Sequence, residues 1–409
     1  MTQQEKNRAI SNAISATRKR RKSQVCKVFK FKIDKDSLNR EQRESLKMFF
    51  IEAKRVYNYI LGEKLDPYSV SYKDLKHITY LDKNKNKIDY TIHYIGSSVI
   101  ADTITIMKES IKGLSVSKKN GNKVGGLKFK SECKSIRLRQ YGVTHSIRGS
   151  KFKIQGIKKP IRVNGLKQLD CYDNLEYTIA HLLYDGYDYF ISLTCFMDKE
   201  NKIKNDNIIG VDFGCETTVT SSDGKKIKIS IGESERLKGL HSKLKSQTKG
   251  SNNWYKTRSK IRKEYNKMTN KKNDIANKIV HDLSSNRIVV IQDDAVDEWH
   301  ENKYTSKTVQ YSVIGRVKDK LKKQDNTVVL DKWFPTTKHC FECGCNNDIS
   351  LSDRVYRCSC GSAMDRDVHA AKNMIEYYLK IQSVGTIDLK PGRKIAYNRY
   401  RHLFEQEAR

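Results

Sequence analysis

Acidic residues stand where apolar runs end. Asp212 closes IIGVD, and Asp293 with Asp294 closes RIVVIQDD. Asp365 and Asp367 open a stretch whose apolar positions, Val368, Ala371, Met374, Ile375 and Tyr378, fall at helical spacing. A carboxylate at the end of a buried strand is costly unless it meets a cation. Acids delivered by three elements of one sheet would suit a pair of divalent ions, and hard oxygen donors select Mg²⁺ or Mn²⁺. Two such ions about 3.5–4 Å apart can activate a water and stabilise the leaving oxygen of a phosphodiester. Taken singly, each acid is more often a strand-end or helix-cap residue.

The cysteines form a tighter pattern. Cys340-x-x-Cys343 is followed by fourteen residues and then Cys358-x-Cys360. Thiolates at this spacing can close one tetrahedral Zn²⁺ site. Gly344 and Gly361 follow the two pairs and permit the tight turns that such knuckles need. Cys345 is a spare that could replace Cys343. The chain has ten cysteines, the others scattered, which argues for metal and against a disulfide framework in a reducing compartment.

The elements that must position these groups lie on a strongly basic chain. Lysine and arginine number 80 against 47 acids in 409 residues, a formal charge of +33. Such self-repulsion serves no enzyme of small metabolites, but it suits a protein that wraps a polyphosphate and releases its counterions. No apolar run reaches the roughly 18 residues of a membrane span. The opening MTQQEKNRAISNAISATRKRRK lacks the apolar core of a signal peptide, so the expected location is the cytoplasm.

Residues 1–24 read as a mobile basic arm, followed by the alternating strand VCKVFKFKI. A helix is predicted over 39–61, with Leu46, Phe49, Phe50, Ala53, Val56, Tyr57 and Ile60 on one face, and another over 97–114. Between them, 66–90 is polar. From Leu127 to Cys195 short strands dominate: LKFK, SIRLRQY, KFKIQG, IRVNG, LEYTIAHLLY and YFISLTCF. They suggest a small β-barrel or sandwich with basic outer faces. After the linker DKENKIKNDN come IIGVDFG, a hairpin at the Asp-Gly of SSDGKKIKI, helices over 233–283, RIVVIQDD, a helix near 309–323, TVVLDKWF and a last helix over 367–379. The tail from Ile381 shows no periodicity.

In this order, GVDFG, SSDGKKI, a basic helical stretch, VVIQDDAV, DKWFPTTKHCFECG, CSCG and DRDVHAAKNM resemble the C-terminal half of TnpB proteins, compact transposon relatives of type V CRISPR effectors. The match covers about 205–380; EAKRVYNYIL and GGLKFKSECKSIRLRQY look, less sharply, like the family's recognition and wedge regions. The resemblance implies a multidomain α+β chain. Its expected parts are a basic arm (1–24), a wedge β-barrel (25–38 and 115–204), a helical recognition region (39–114), an RNase H-like RuvC nuclease domain (205–335 and 361–380) interrupted by a zinc ribbon (336–360), and a basic tail (381–409). It further implies a monomer bound to a guide RNA, which directs cleavage of double-stranded DNA beside a short flanking motif. A non-cleaving guided repressor and an RNA-independent transposase are the alternatives.

Carried over by position, Asp212 matches the first RuvC acid and Asp367 the third. For the second, the family usually has Glu-Asp-Leu, whereas this chain has Gln292, Asp293 and Asp294. On a regular strand residues 292 and 294 face one way, so Asp294 is the expected second Mg²⁺ ligand and Asp293, pointing away, the second choice. His369 stands where the family usually has asparagine; it could approach the metal water or a phosphate, or cap its helix. Lys256, Arg258, Lys260, Arg262 and Lys263 could track a heteroduplex backbone. Lys128, Lys130, Arg137 and Arg139, on strands beside Phe129 and Tyr141, suit contacts to RNA or to the motif duplex. Either basic set is equally readable as a solvated face.

Overall fold

A computed structural model of the chain describes residues 2–82, 84–198, 207–350, 353–385 and 394–405. The chain divides into two compact units, Met1–Asn201 and Lys202–Arg409. The linker DKENKIKNDN falls almost wholly outside the described residues. No described helix is long and apolar enough to cross a membrane.

The first unit opens with α1 (Gln3–Lys22), where a mobile arm was expected. Thr2 and Glu5 form a reciprocal capping box at its start. At its end Arg20 and Arg21 pair with Glu176 at 2.9 and 2.7 Å, and the Arg21 guanidinium lies 3.6 Å over Phe196. The segment is therefore a capped helix fastened at its base.

Strand β1 (Gln24–Ile33) follows, then α2 (Arg40–Gly62), the hairpin β2 (His77–Leu81) and β3 (Lys87–Thr91), and α3 (Ser97–Lys119). Six short strands come next: β4 (Ser135–Leu138), β5 (His145–Arg148), β6 (Lys151–Ile154), β7 (Ile161–Asn164), β8 (Glu176–Tyr184) and β9 (Tyr189–Asp198). Seven of these strands form one nearly closed barrel sheet in the order β4-β8-β9-β1-β7-β6-β5. β1 shows why: Phe29, Phe31 and Ile33 point inward while Lys30 and Lys32 alternate outward. The predicted apolar face of α2 is buried against this sheet in one core. Three expectations fail locally. LKFK (127–130) has no strand partner, the polar stretch 66–90 contains the hairpin β2–β3, and β5 was not foreseen.

The second unit contains β10 (Ile208–Asp212), β11 (Val219–Ser221), β12 (Lys226–Ile227), α4 (Glu235–Lys245), α5 (Asn252–Ser284) and β13 (Ile288–Gln292). It continues with α6 (Val296–Glu301), α7 (Ser306–Tyr311), α8 (Ile314–Leu321), β14 (Thr327–Leu330), β15 (Val355–Arg357), β16 (Ala363–Asp365), α9 (Arg366–Ser383) and β17 (Lys394–Ile395). Six strands pair in the order β12-β11-β10-β13-β14-β17. β10, β11 and β12 are an antiparallel meander turning at Asp223-Gly224; β13, β14 and β17 run parallel to β10.

The parallel strands are covered on both faces, which is why they read as continuous apolar runs. Val289, Ile291 and Val329 meet α5 and α8 on one face; Val290, Val328 and Leu330 meet α9 on the other. The expected helix over 309–323 is broken at Ser312, whose hydroxyl accepts the Ile314 N–H and donates to the Val309 carbonyl. The tail is not featureless either. β17 adds to the edge of β14, and Phe404 is buried against Phe334 and Tyr377.

Candidate acidic site and cysteine cluster

β10 and β13 are adjacent and parallel, so their C-terminal ends share one end of the sheet. Asp212 is the last residue of β10, and Asp294 lies two residues beyond β13. Asp367 sits in the first turn of α9, which crosses β10 so closely that Gly210 faces the Ala371 carbonyl. Open-sheet proteins place ligands at this end of the strands.

Asp212 lies in the field of both Asp294 and Asp367. Burial pushes the Asp212 carboxyl well above its ordinary range; the charges of Asp294 and Asp367 add to this, while Arg366 and the Phe213 N–H oppose it. Burial also raises Asp294, with Lys318 pulling the other way. Glu52 in the first unit is a contrast. It is fully buried but satisfied, accepting from Tyr90 Oη at 2.8 Å and from the backbone N–H groups of His93, Tyr94 and Ile95 at 2.9–3.0 Å. Asp212, with the single Phe213 N–H against two neighbouring acids, has the electrostatics of a cation site, and oxygen-only donors fit Mg²⁺ or Mn²⁺.

This predicts a stability effect. A raised carboxyl makes the ionised form a liability to the fold above the unfolded carboxyl's pKa of about 3.9. Asp212→Asn should therefore raise the melting temperature of the metal-free chain at pH 7 and leave it unchanged at pH 3. It should also blunt any stabilisation by added Mg²⁺. Thermal unfolding with and without Mg²⁺ at the two pH values reads both.

Asp293, the second choice for the middle acid, belongs elsewhere. It is clasped by Lys322 and Lys394, with Lys318 at 3.6 Å. Burial works against its charge, but these lysines pull its carboxyl down to about 2. The regular pleat on which the pairing of residues 292 and 294 rested ends at Gln292. The Gln292 amide is spent on a neighbouring loop: Nε2 donates to the carbonyls of Asp331 (3.2 Å) and Phe334 (2.7 Å), and Oε1 accepts from the Thr336 hydroxyl (2.8 Å).

His369 neither caps nor faces outward. Its ring is stacked on Tyr356 with centroids 3.4 Å apart, beside Phe341, and burial lowers its pKa to about 4. Asp365 is the cap instead, accepting from the N–H groups of Asp367 (3.1 Å) and Val368 (3.2 Å). Asn373 ties α9 to the cysteine segment by donating to the carbonyls of Thr336 and His339, both at 2.6 Å.

The four predicted cysteines converge. The sulfurs of Cys340, Cys343, Cys358 and Cys360 all lie within 4.8 Å of one another, with Cys340 to Cys360 at 3.8 Å and Cys343 to Cys358 at 3.5 Å. Zn–S bonds of about 2.3 Å in a tetrahedron require sulfurs about 3.8 Å apart, so the set fits Zn²⁺. Gly344 and Gly361 have φ of +78° and +94°, as the turns demand. Cys345 lies outside the four; its carbonyl accepts the Cys340 N–H. The β15–β16 hairpin carries the ribbon on to Asp365, past the expected boundary at 360.

The basic candidates fare unevenly. Arg137 is occupied within the fold by Asp102 (3.0 Å) and Glu109 (3.1 Å), and Arg139 also pairs with Asp102. Lys128 is exposed, while Lys130 lies 3.8 Å over Tyr57 with its backbone clasped by Asn58. On α5, Arg258 lies 4.5 Å over Trp254, Lys256 and Lys260 are exposed, and Arg262 and Lys263 are half-buried. Lys318, which donates to the Asp294 carbonyl and lies buried behind the acids, was missed. A lysine on an amphipathic helix carries no signal of burial.

Two protein families match the second half of the chain. The OrfB_IS605 family, described as "Probable transposase", matches residues 192–293. The "Cas12f1-like, TNB domain" family matches residues 311–374. A Streptomyces pristinaespiralis protein described as "Putative RNA-guided DNA endonuclease" is 28% identical over 216 residues, which is 50% of this chain and 54% of that protein. The chain thus spans about half the length of this curated relative. Among solved structures, a Cas12f1-sgRNA-target DNA complex aligns at 11% identity and a TM-score of 0.44, covering 86% of this chain and 99% of that one. A CRISPR-Cas12f ternary complex aligns at 14% and 0.26, covering 82% and 80%. The first family match contains Asp212, and the second contains Asp367 and the four cysteines. The chain is a TnpB-like protein.

Proposed function

We propose that this chain is an RNA-guided DNA endonuclease whose second unit is a RuvC-type nuclease domain. The observation that carries the reading is that buried Asp212, at the end of β10, feels the charges of both Asp294 and Asp367. An antiparallel three-strand meander followed by parallel strands is the order of an RNase H-like sheet, which supports the same reading.

Asp212, Asp294 and Asp367 would hold two Mg²⁺ ions, which when bound supply Lewis acidity and a water activated for attack on a phosphodiester. The chain's own residues prepare that site. Burial disfavours the charged form of the Asp212 carboxyl, a cost that a bound cation would offset. Lys318 fixes the Asp294 backbone from behind, and Asp293, clamped by its lysines, fixes the adjoining residue. Four cysteines would hold a structural Zn²⁺ that shapes the segment entering α9. The charge of +33 suits a guide RNA paired to one strand of a double-stranded target; in such complexes base pairing reads sequence while the protein reads duplex shape and a flanking motif. A cytoplasmic monomer bound to its RNA is the proposed working form.

The test is cleavage. The chain, co-expressed with its flanking genomic sequence and purified with its RNA, should linearise a plasmid carrying the guide match beside one motif of a randomised set. Asp212→Ala should cost about a thousandfold or more, the loss of several kcal/mol of charge stabilisation. Undiminished cleavage by Asp212→Ala would overturn the assignment. Guide-dependent binding without cutting by the parent would make it a guided DNA-binding protein.

A further inference from the structure

Trp333 breaks the burial pattern around it. Leu330 and Phe334 are buried in the core of the second unit, yet the Trp333 indole is 67% exposed. Its loop is nonetheless firmly held. Gln292 grips the Asp331 and Phe334 carbonyls on either side. One Asp331 carboxylate oxygen accepts the Trp333 N–H at 3.0 Å, and the other accepts the Tyr397 N–H at 2.7 Å.

The loop also lies beside the acids. Gln292 and Leu330 are paired in register, and the Asp293 N–H donates to the Leu330 carbonyl at 2.8 Å. Lys332 lies 3.8 Å from Glu298, on the helix that starts two residues after Asp294. The same lysine places its ammonium 5.2 Å from the Trp333 ring.

A rigid exposed indole with a cation against it, in a chain of charge +33, fits one ligand chemistry: an unpaired nucleobase stacked on the ring with its phosphate near the lysine. RNA offers the same base faces. A guide, however, must survive many turnovers, so the strand held beside nuclease acids is the one to be cut. We infer that Trp333 is a stacking platform for an unpaired base of the DNA strand delivered to Asp212, Asp294 and Asp367, and that Gln292 is the positioning residue that holds the platform. This rests on the nuclease reading of the acids.

The test uses the guide-loaded complex in Mg²⁺-free buffer, titrated with a twelve-residue oligothymidylate while tryptophan emission and binding are followed. The parent should be quenched. Trp333→Ala should lose the quenching and bind roughly tenfold more weakly, the worth of one stacked base. Trp333→Phe should lose the quenching but keep most of the affinity, because a phenyl ring still stacks. Asp212→Ala should quench like the parent, so stacking is read apart from cutting; a parent that stacks DNA but never cleaves would overturn only the nuclease reading. Parent-like quenching and affinity in Trp333→Ala would overturn the platform. So would quenching by oligouridylate but not by oligothymidylate. In cleavage, Trp333→Ala should raise KM for a single-stranded substrate more than it lowers kcat.

Discussion

Gly210→Ala should cost the second unit at least about 3 kcal/mol, the upper end of ordinary overpacking penalties. A Cβ at this position would stand 1.8 Å from the Ala371 carbonyl oxygen and 2.7 Å from its carbon. Both are backbone atoms of α9, so no side-chain rotation relieves the clash and the helix must lift. The melting temperature should fall by roughly 6–12 °C for a unit of this size. Cleavage should fall further than stability, because α9 carries Asp367 while β10 carries Asp212. Gly239→Ala is the control. That glycine lies in α4 with nothing within 4 Å of an added Cβ, so it should gain about 0.5–1 kcal/mol from helix propensity. Equal responses in the two variants would mean that the close crossing of α9 over β10 is wrong.

Loss of the ribbon metal is the second large effect. Structural Zn²⁺ contributes on the order of 10–16 kcal/mol of apparent binding energy in small zinc modules. Cys340→Ser should take the bound zinc from one equivalent to none. It should also expose Tyr356 and His369, whose stacked rings join the ribbon to α9. Near-ultraviolet circular dichroism would report the rings and elemental analysis the metal. Cys345→Ser should keep its zinc, because the named contacts of Cys345 use its backbone: its carbonyl accepts the Cys340 N–H and its N–H donates to the Cys343 sulfur. A zinc-free parent, or an equal loss in both variants, would contradict the four-sulfur assignment.

The parts legible in the sequence were those whose cause is local. Parallel strands buried on both faces leave apolar runs such as IVVIQ and TVVL. The cysteine spacing and the glycines after each pair state the knuckles directly, and Asp223-Gly224 states its turn. Placing acids at element ends also anticipated that Asp294 and Asp367 act on Asp212. What escaped was partner choice over long distances. Arg137 looks free in SIRLRQY, but Asp102, on a helix of the same unit, claims it. Asp293 and Asp294 are neighbours with opposite fates because three lysines pair with the first carboxylate, whereas the second is met only at its backbone carbonyl, by Lys318. His369 sits in a motif rich in charge, yet its environment is set by Tyr356, brought in by the ribbon. Local pattern carries no trace of such meetings.

The strand order has a consequence for how the protein is made. β10 emerges from the ribosome early in the second unit, but its neighbours β13 and β14 come only after the long α5, and α9 comes after the ribbon. Parallel pairing between such separated segments is slow, since loop closure must precede any reward. A nascent chain halted before α9 has two of the acids and no third. The proposed cation site is therefore complete only once α9 has docked on β10.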